Sequence, residues 1–175
     1  MNNIYISDFL SYLEVEANYA KNTINSYEND LNKFEEYYKN KDLLKITSKD
    51  IEKYIQTLSD LAPTTVSHNI SSLKTFYSYF LKQVRISNNP TDGIKSPKLG
   101  IHLPTYLTID EVNKLLDIEV TDAFSSRNKA ILELMYATGL RISEVISLEF
   151  KNIDYDECII RVMGKGSKER IVPVN

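Results

Sequence analysis

The chain has 175 residues, of which 42% are hydrophobic and 26% are charged, and its formal net charge is −3 at pH 7. This apolar content supports a packed core and argues against wholesale disorder. The single cysteine, Cys158, excludes an intramolecular disulfide, so we expect a cytoplasmic protein in which Cys158 lies on a β-strand. No apolar run approaches the roughly 20 residues of a membrane helix, and the acidic balance argues against a uniformly basic nucleic-acid surface.

Apolar residues recur at helical spacing in four segments of the first hundred residues. We expect one helix over residues 4–16, a second from residue 22, a third at residue 48 and a fourth after Pro63. Four amphipathic helices with short polar connections predict a small orthogonal bundle over residues 1–86. The candidate N-cap residues are Ser7 or Asp8, Ser48, and Thr64 or Thr65.

Prolines, glycines, asparagines and serines concentrate after this bundle, which predicts an interdomain linker over residues 87–105. A second domain then begins with Thr108 and Glu111, whose spacing is that of a capping box at a helix start. A stronger helix is expected over residues 125–138, with Gly139 as a left-handed stop, and a short helix over residues 141–148 follows.

Beyond Asn152 the apolar period changes from that of a helix to two. Two β-rich runs, residues 158–163 and 170–174, flank a glycine-containing segment and predict a β-hairpin. Because the sequence stops directly after the second run, we expect residues 106–175 to be the first part of an incomplete domain. The predicted fold class is mainly α, with a four-helix amino-terminal domain and the first part of an α+β domain that contains the hairpin.

The stretch over residues 137–145 places an arginine, Arg141, where a helix ends and the next begins. A cation is disfavoured at the positive end of a helix dipole, unless the dipole and the guanidinium act together on an anion such as a phosphate. Glu144 lies three residues further on, where its carboxylate can brace Arg141. An ordinary surface pair of arginine and glutamate explains the same spacing equally well.

Lys165 lies between two glycines at the predicted hairpin tip. A mobile ammonium on a turn can reach into a groove or an active site, although a solvated turn lysine is the simpler interpretation. The segment is not a P-loop, because it lacks the spacing and the following helix of that motif. The local cluster around it is basic within an acidic half of the chain and comprises Arg161, Lys165, Lys168 and Arg170 against Glu169.

The sequence Thr-Gly-Leu-Arg-Ile-Ser-Glu over residues 138–144, followed by the Gly-Lys-Gly hairpin over residues 164–166, closely resembles the tyrosine recombinase family. The likeness is strongest to its Xer-like and phage-integrase branch, and segments 21–27, 71–77, 96–98 and 107–108 look similar as well. The resemblance implies a helical, SAM-like core-binding domain and a mixed catalytic domain that clamp duplex DNA. It also implies a tyrosine that forms a 3′-phosphotyrosine, without a metal or nucleotide cofactor.

The resemblance also implies roles for single residues. Arg141 matches the first catalytic arginine, Lys165 matches the hairpin lysine that acts as general acid toward the 5′ leaving oxygen, and Glu144 matches a supporting acidic residue. The family's His-x-x-Arg motif and its tyrosine nucleophile come later than residue 175, so we expect a DNA-binding fragment that is inactive alone. Tyr155 precedes the hairpin and is not expected to be the nucleophile.

Small polar and basic residues cluster where the second and fourth helices begin, and basic residues border the hairpin turn. Such residues suit phosphate contacts and groove entry, whereas helix capping and a solvated face are the alternative interpretation. No partner at metal-ligand spacing accompanies His68, so we expect no metal site. The expected DNA contacts are Lys21, Asn22, Thr23, Asn25, Thr64, Thr65, Ser67, His68, Asn69, Ser72, Lys74, Lys168 and Arg170.

The resemblance thus implies a site-specific DNA recombinase whose partners are duplex DNA and the same or related recombinase subunits, which in the full-length family assemble as a tetramer on DNA, with no membrane. Resolution of chromosome or plasmid dimers and integration of mobile elements both remain open. One alternative is a non-catalytic DNA-binding module produced by a natural truncation. Another is a helical protein-interaction domain, which would have no salt-dependent affinity for duplex DNA.

Overall fold

The computed structural model describes residues 2–39, 41–98, 100, 105–164 and 169–174. The chain divides into two compact units, residues 1–102 and 103–175, which we call the amino-terminal and carboxy-terminal units and describe separately. Within the described residues, none of the helices combines the length and the apolar character that crossing a membrane requires.

The amino-terminal unit contains the four predicted helices. They are α1 (Asn2–Val15), α2 (Lys21–Tyr37), α3 (Ser48–Thr57) and α4 (Pro63–Lys82), and a short 3₁₀ turn, Leu43–Lys45, precedes α3. The lengths and the amphipathic pattern of these helices agree with the predicted bundle, and the mainly helical fold class is confirmed.

The observed helix starts correct the predicted N-caps. The cap of α3 is Thr47, because the Thr47 N–H donates to Asp50 Oδ2 at 2.8 Å and the Asp50 N–H donates to Thr47 Oγ1 at 3.4 Å. Helix α4 begins at Pro63, whose fixed φ suits a first helical position, and its N-cap is Ala62. The predicted caps that lie inside helices instead are Ser7 and Asp8 of α1, Ser48 of α3, and Thr64 and Thr65 of α4.

Aromatic side chains fill the core of the amino-terminal unit. Phe9 and Phe76 meet edge to face with ring centroids 5.4 Å apart, and Phe34 meets Tyr54 in the same way at 4.9 Å. Phe9, Phe34 and Phe76 are fully buried, and each such side chain stabilises the fold by about 1.5–3 kcal/mol. Helices α2 and α4 also contact each other directly, so the two segments expected to contact DNA belong to neighbouring helices.

The carboxy-terminal unit combines three α-helices with a small antiparallel sheet among its described residues. The helices are α5 (Ile109–Leu116), α6 (Ala123–Thr138) and α7 (Ile142–Ile146), and the strands are β1 (Ile153–Asp154), β2 (Ile159–Met163) and β3 (Glu169–Pro173). The sheet order is β1-β2-β3, and β2 pairs with β3 so that Val162 lies opposite Arg170. The predicted hairpin pairing is therefore confirmed, whereas β1 was not predicted.

The buried core of this unit is small and comprises Leu140, Val145, Ile160 and Val162. The capping box of Thr108 and Glu111 is present at the start of α5, as predicted. The expectation that Cys158 lies on a strand was wrong. Cys158 is exposed in the turn before β2, and its φ of 51° is left-handed and incompatible with an extended strand.

Candidate functional site

The turn between α6 and α7 sets the position of Arg141. Helix α6 ends at Gly139, which has a φ of 65° and whose N–H donates to the Met135 carbonyl at 2.9 Å, so the predicted left-handed stop is confirmed. Leu140 then turns into the core, where it is 3% exposed, and Arg141 follows in an extended conformation as the N-cap of α7. A buried leucine therefore anchors the turn, and the Arg141 side chain is 69% exposed.

Glu144 holds the backbone and the side chain of Arg141. The Arg141 backbone N–H donates to Glu144 Oε2 at 2.7 Å, and its guanidinium Nη1 donates to Oε1 at the longer distance of 3.2 Å. The Glu144 side chain is only 9% exposed, so its carboxylate is fixed beneath the turn. The structure thus brings together the two residues that the sequence spacing placed within reach.

Arg170 of β3 is the second cation at Glu144, and sequence reasoning missed this contact. Its Nη1 donates to Oε1 at 2.7 Å and its Nη2 donates to Oε2 at 2.8 Å, which is a two-point guanidinium–carboxylate pair. The partners are 26 residues apart, and only the pairing of β2 with β3 carries Arg170 to α7. The basic residues over 161–170 predicted contact with a phosphate, but the anion that Arg170 binds here is the Glu144 carboxylate of the same unit.

These hydrogen bonds control the ionisation of Glu144. The two bonds from Arg170, followed by the backbone N–H of Arg141, lower the pKa of Glu144 from 4.5 to about 2. The same carboxylate raises the pKa of Arg170. The cluster of Arg141, Glu144 and Arg170, which we call the carboxylate clamp, therefore carries two positive charges and one negative charge at neutral pH.

The remaining hairpin lysines cannot be placed relative to this clamp. Lys165 and Lys168 lie outside the described residues, so their predicted roles stay predictions. Among the described residues, no group of three or more histidine, cysteine, aspartate or glutamate side chains is arranged to hold a metal ion.

Most of the DNA contacts predicted for the amino-terminal unit reach its surface, but two do not. Asn69 is 4% exposed, and its amide donates to the Thr65 carbonyl at 3.1 Å. Ser72 is fully buried, and its hydroxyl donates to Asp30 Oδ2 at 2.7 Å. Both side chains make their hydrogen bonds inside the unit, so we correct the expected set by removing Asn69 and Ser72.

A polar array built on Asp30 was not foreseen from the sequence. Asp30 of α2 lies 2.7 Å from His68 Nδ1 of α4, and the opposite ring nitrogen, Nε2, lies 3.4 Å from Ser26 Oγ. The Ser72 hydroxyl donates to the same oxygen, Asp30 Oδ2, at 2.7 Å, so the imidazole and the hydroxyl meet at one carboxylate oxygen. The sequence signal for this array is a pair of four-residue spacings. Ser26 and Asp30 share one face of α2, and His68 and Ser72 share one face of α4.

Two family models match the chain. The phage integrase N-terminal SAM-like domain matches residues 6–83, and the phage integrase family matches residues 105–175. Tyrosine recombinase XerD of Oceanobacillus iheyensis is 40% identical over 175 residues, which covers 97% of this chain and 59% of that protein. Tyrosine recombinase XerC of Myxococcus xanthus is 42% identical, with coverage of 97% and 58%. The chain thus spans less than two thirds of the length of these relatives.

Solved structures agree with the fold. The XerH site-specific recombinase in a post-cleavage complex with its palindromic difH substrate has a TM-score of 0.66 and 25% identity, and the match covers 85% of this chain and 48% of that one. A lambda integrase dimer bound to a COC′ core site has a TM-score of 0.76 at 18% identity, with coverage of 98% and 61%. The second match supports the architecture alone.

Proposed function

Because the chain belongs to the phage integrase family of tyrosine recombinases, we propose that it takes part in site-specific cleavage and joining of duplex DNA strands. The reaction in question is the family's strand transfer through a 3′-phosphotyrosine. The partners proposed are duplex DNA and further recombinase subunits, and the location proposed is the cytoplasm, where chromosomal DNA is accessible in a bacterial cell. Whether the reaction resolves DNA dimers or integrates a mobile element is open.

The observation that supports this proposal most directly is the state of Arg141. Its backbone is fixed by Glu144 and its guanidinium is largely exposed, so the side chain is held at its base and open at its tip. A guanidinium presented in this way suits two-point contact with a phosphate. The same exposed tip on a flexible backbone would lose more conformational entropy when it binds.

In the proposed reaction, Arg141 contacts the scissile phosphate and stabilises the negative charge that develops on the non-bridging oxygens. Lys165 gives a proton to the 5′ leaving oxygen. Glu144 hydrogen-bonds to the backbone and the side chain of Arg141, so its role in this proposal is to position that arginine. These assignments carry the family's motif onto matching residues, and the geometry of the clamp supports the part that concerns Arg141.

The amino-terminal unit supplies the proposed sequence-independent grip on the duplex. Its candidate contacts lie at the start of α2 and between Thr64 and Lys74 of the neighbouring helix α4, and they reach the surface of the unit. Hydroxyl, amide and ammonium groups in this arrangement suit the phosphate backbone. The proposed set is Lys21, Asn22, Thr23, Asn25, Thr64, Thr65, Ser67, His68 and Lys74.

The proposal is tested by titrating the chain with a short fluorescent duplex at several salt concentrations. Affinity should fall as salt rises, because each neutralised phosphate releases counterions. The slope of log affinity against log salt is negative, and Lys21→Ala should reduce its magnitude by about 0.9. Lys53→Ala, an exposed lysine of α3 outside the proposed set, is the matched control and should leave the slope unchanged. Affinity that is independent of salt would refute the proposal.

A further inference from the structure

Two guanidinium groups compete for one buried carboxylate in the clamp. Arg170 uses both terminal nitrogens on the two oxygens of Glu144, at 2.7 and 2.8 Å. The Arg141 side chain makes a single bond of 3.2 Å to the same carboxylate. Short two-point pairs are the stronger ones, so Glu144 is satisfied mainly by Arg170.

This division leaves the Arg141 guanidinium available. Its one side-chain bond to Glu144 is long, and the side chain is 69% exposed. A guanidinium grips a phosphate best when two parallel N–H groups are free to point at it. A carboxylate that lacked Arg170 would attract the cation that lies three residues away, since its backbone already anchors Arg141 at 2.7 Å.

We propose that Arg170 is a positioning residue, which saturates Glu144 and so keeps the Arg141 guanidinium free for a DNA phosphate. This inference rests on the proposed function, and it replaces the direct DNA contact that the sequence suggested for Arg170. Both terminal nitrogens of Arg170 are committed to Glu144, and its side chain is only 37% exposed. A direct contact with a phosphate would require this pair to break.

Arg170 also ties β3 to α7, so loss of stability alone cannot identify the role. The two roles differ in whether a second substitution, at Glu144, restores or further reduces the DNA binding that Arg170→Met has weakened. If Glu144 captures Arg141 when Arg170 is absent, then neutralising Glu144 must restore the function that Arg170→Met removed. A residue that only holds the fold together predicts further damage from the second substitution.

The test measures the salt dependence of duplex binding for the chain and its variants. In the otherwise unaltered chain, Arg141→Ala should reduce the magnitude of the slope of log affinity against log salt by about 0.9. In the Arg170→Met background the same substitution should have no effect, because Arg141 is already captured. In the Arg170→Met/Glu144→Gln background, Arg141→Ala should again reduce the magnitude of the slope by about 0.9.

The contrary result is equally well defined. If Arg170→Met and Arg141→Ala each lower the slope and their effects add, Arg170 is itself a DNA contact and the inference is overturned. Circular dichroism and thermal melting check that the variants fold. Should Arg170→Met fail to fold, Arg170→Lys takes its place, since lysine keeps the charge but cannot form the two-point pair, and it should give the same coupling at reduced size.

A second readout does not depend on DNA. The Nε–H resonance of Arg141 in the free chain should move when Arg170→Met is introduced and should return when Glu144→Gln is added. An unmoved resonance overturns the inference even if the chain binds DNA as proposed. Conversely, a chain that shows this movement but no salt-dependent binding refutes the proposed function and leaves the competition for Glu144 established.

Discussion

Among the residues that the structure describes, each unit has one buried carboxylate, and the two carboxylates differ in the groups that bind them. Asp30 in the amino-terminal unit accepts from an imidazole and a hydroxyl, His68 and Ser72, both at 2.7 Å. Glu144 in the carboxy-terminal unit accepts from two guanidinium groups and one backbone N–H. A buried carboxylate is costly without partners, so both arrangements satisfy the same physical demand.

The two carboxylates differ in the surface group that each one orients, which is an imidazole for Asp30 and a guanidinium for Glu144. Asp30 orients a ring whose second nitrogen faces Ser26, so it presents a directional but not permanently charged group. Glu144 fixes the base of an arginine, so it presents a permanent charge with five donors. The first suits adaptable contact with DNA, and the second suits charge that develops during a reaction.

The largest expected effect tests the reactive side of this comparison. In a protein that carries this chain together with the family's tyrosine nucleophile, Arg141→Lys should lower the cleavage rate by on the order of a hundredfold, because lysine cannot reproduce the guanidinium fork. Cleavage is measured as the covalent product on a nicked suicide substrate. Arg127→Lys, an exposed arginine of α6, is the matched control and should cleave at the normal rate.

A companion measurement separates Arg141 from Lys165. A substrate with a 5′-bridging sulfur has a leaving group that needs no proton, so it should rescue Lys165→Ala. It should not rescue Arg141→Lys, whose defect lies at the non-bridging oxygens. Equal rescue of both variants would show that the two roles were assigned wrongly.

The next largest effect tests the Asp30 array. Ser72→Ala removes a buried donor to a carboxylate and should destabilise the amino-terminal unit by about 1.5–3 kcal/mol. Thr75→Ala is the control, because Thr75 also bonds a carbonyl four residues back but reaches no carboxylate, and its cost should stay within about 0.5 kcal/mol. Urea unfolding measures both, and equal costs would mean that the bond to Asp30 contributes little.

A smaller effect concerns the turn that carries Arg141. Gly139→Ala should destabilise the carboxy-terminal unit by about 1 kcal/mol, because alanine resists a φ of 65° although no described atom lies within 4 Å of the added Cβ. Gly100→Ala, whose added Cβ meets no described atom within 4 Å and whose φ is not left-handed, should be neutral. Thermal melting that ranks the two substitutions equally would contradict the conformational explanation.

The last prediction concerns acid. Since the pKa of Glu144 is lowered from 4.5 to about 2 by folding, its contribution to stability is present above about pH 4.5 and is lost as the pH falls toward 2. The protection factors of the β2 and β3 amides, which are exchange rates corrected for the intrinsic effect of pH, should therefore fall over this range, and Glu144→Gln should flatten the change. Asp50→Asn is the control, because the lowered pKa of Asp50 comes mainly from Lys41 in the other unit.

Local signals explain what the sequence predicted well. The capping box of Thr108 and Glu111, the stop at Gly139 and the pairing of the hairpin all depend on residues close together in the chain. The errors at the helix starts have a local cause as well, since Pro63 fixed the beginning of α4 and displaced the threonines expected to cap it. Cys158 was placed on a strand because it directly precedes the apolar run of β2. The sequence pattern does not reveal its left-handed φ.

The polar arrays could not be predicted, because they join distant segments. Asp30 meets His68 and Ser72 across 38 and 42 residues, and no single-helix periodicity encodes which faces of α2 and α4 meet. Arg170 reaches Glu144 only through the register of β2 and β3. A basic side chain that binds a carboxylate of its own unit and one that binds DNA have the same appearance in a sequence.

The unequal spans of the carboxylate clamp also have a consequence for how it forms. The contact between Glu144 and Arg141 closes a loop of three residues, whereas the contact with Arg170 must wait until 26 residues have folded into a paired hairpin. Short loops close within tens of nanoseconds and hairpins take microseconds. A refolding chain can therefore form the contact between Glu144 and Arg141 first, and Arg170 takes up its two-point bond to the same carboxylate only when β3 pairs with β2.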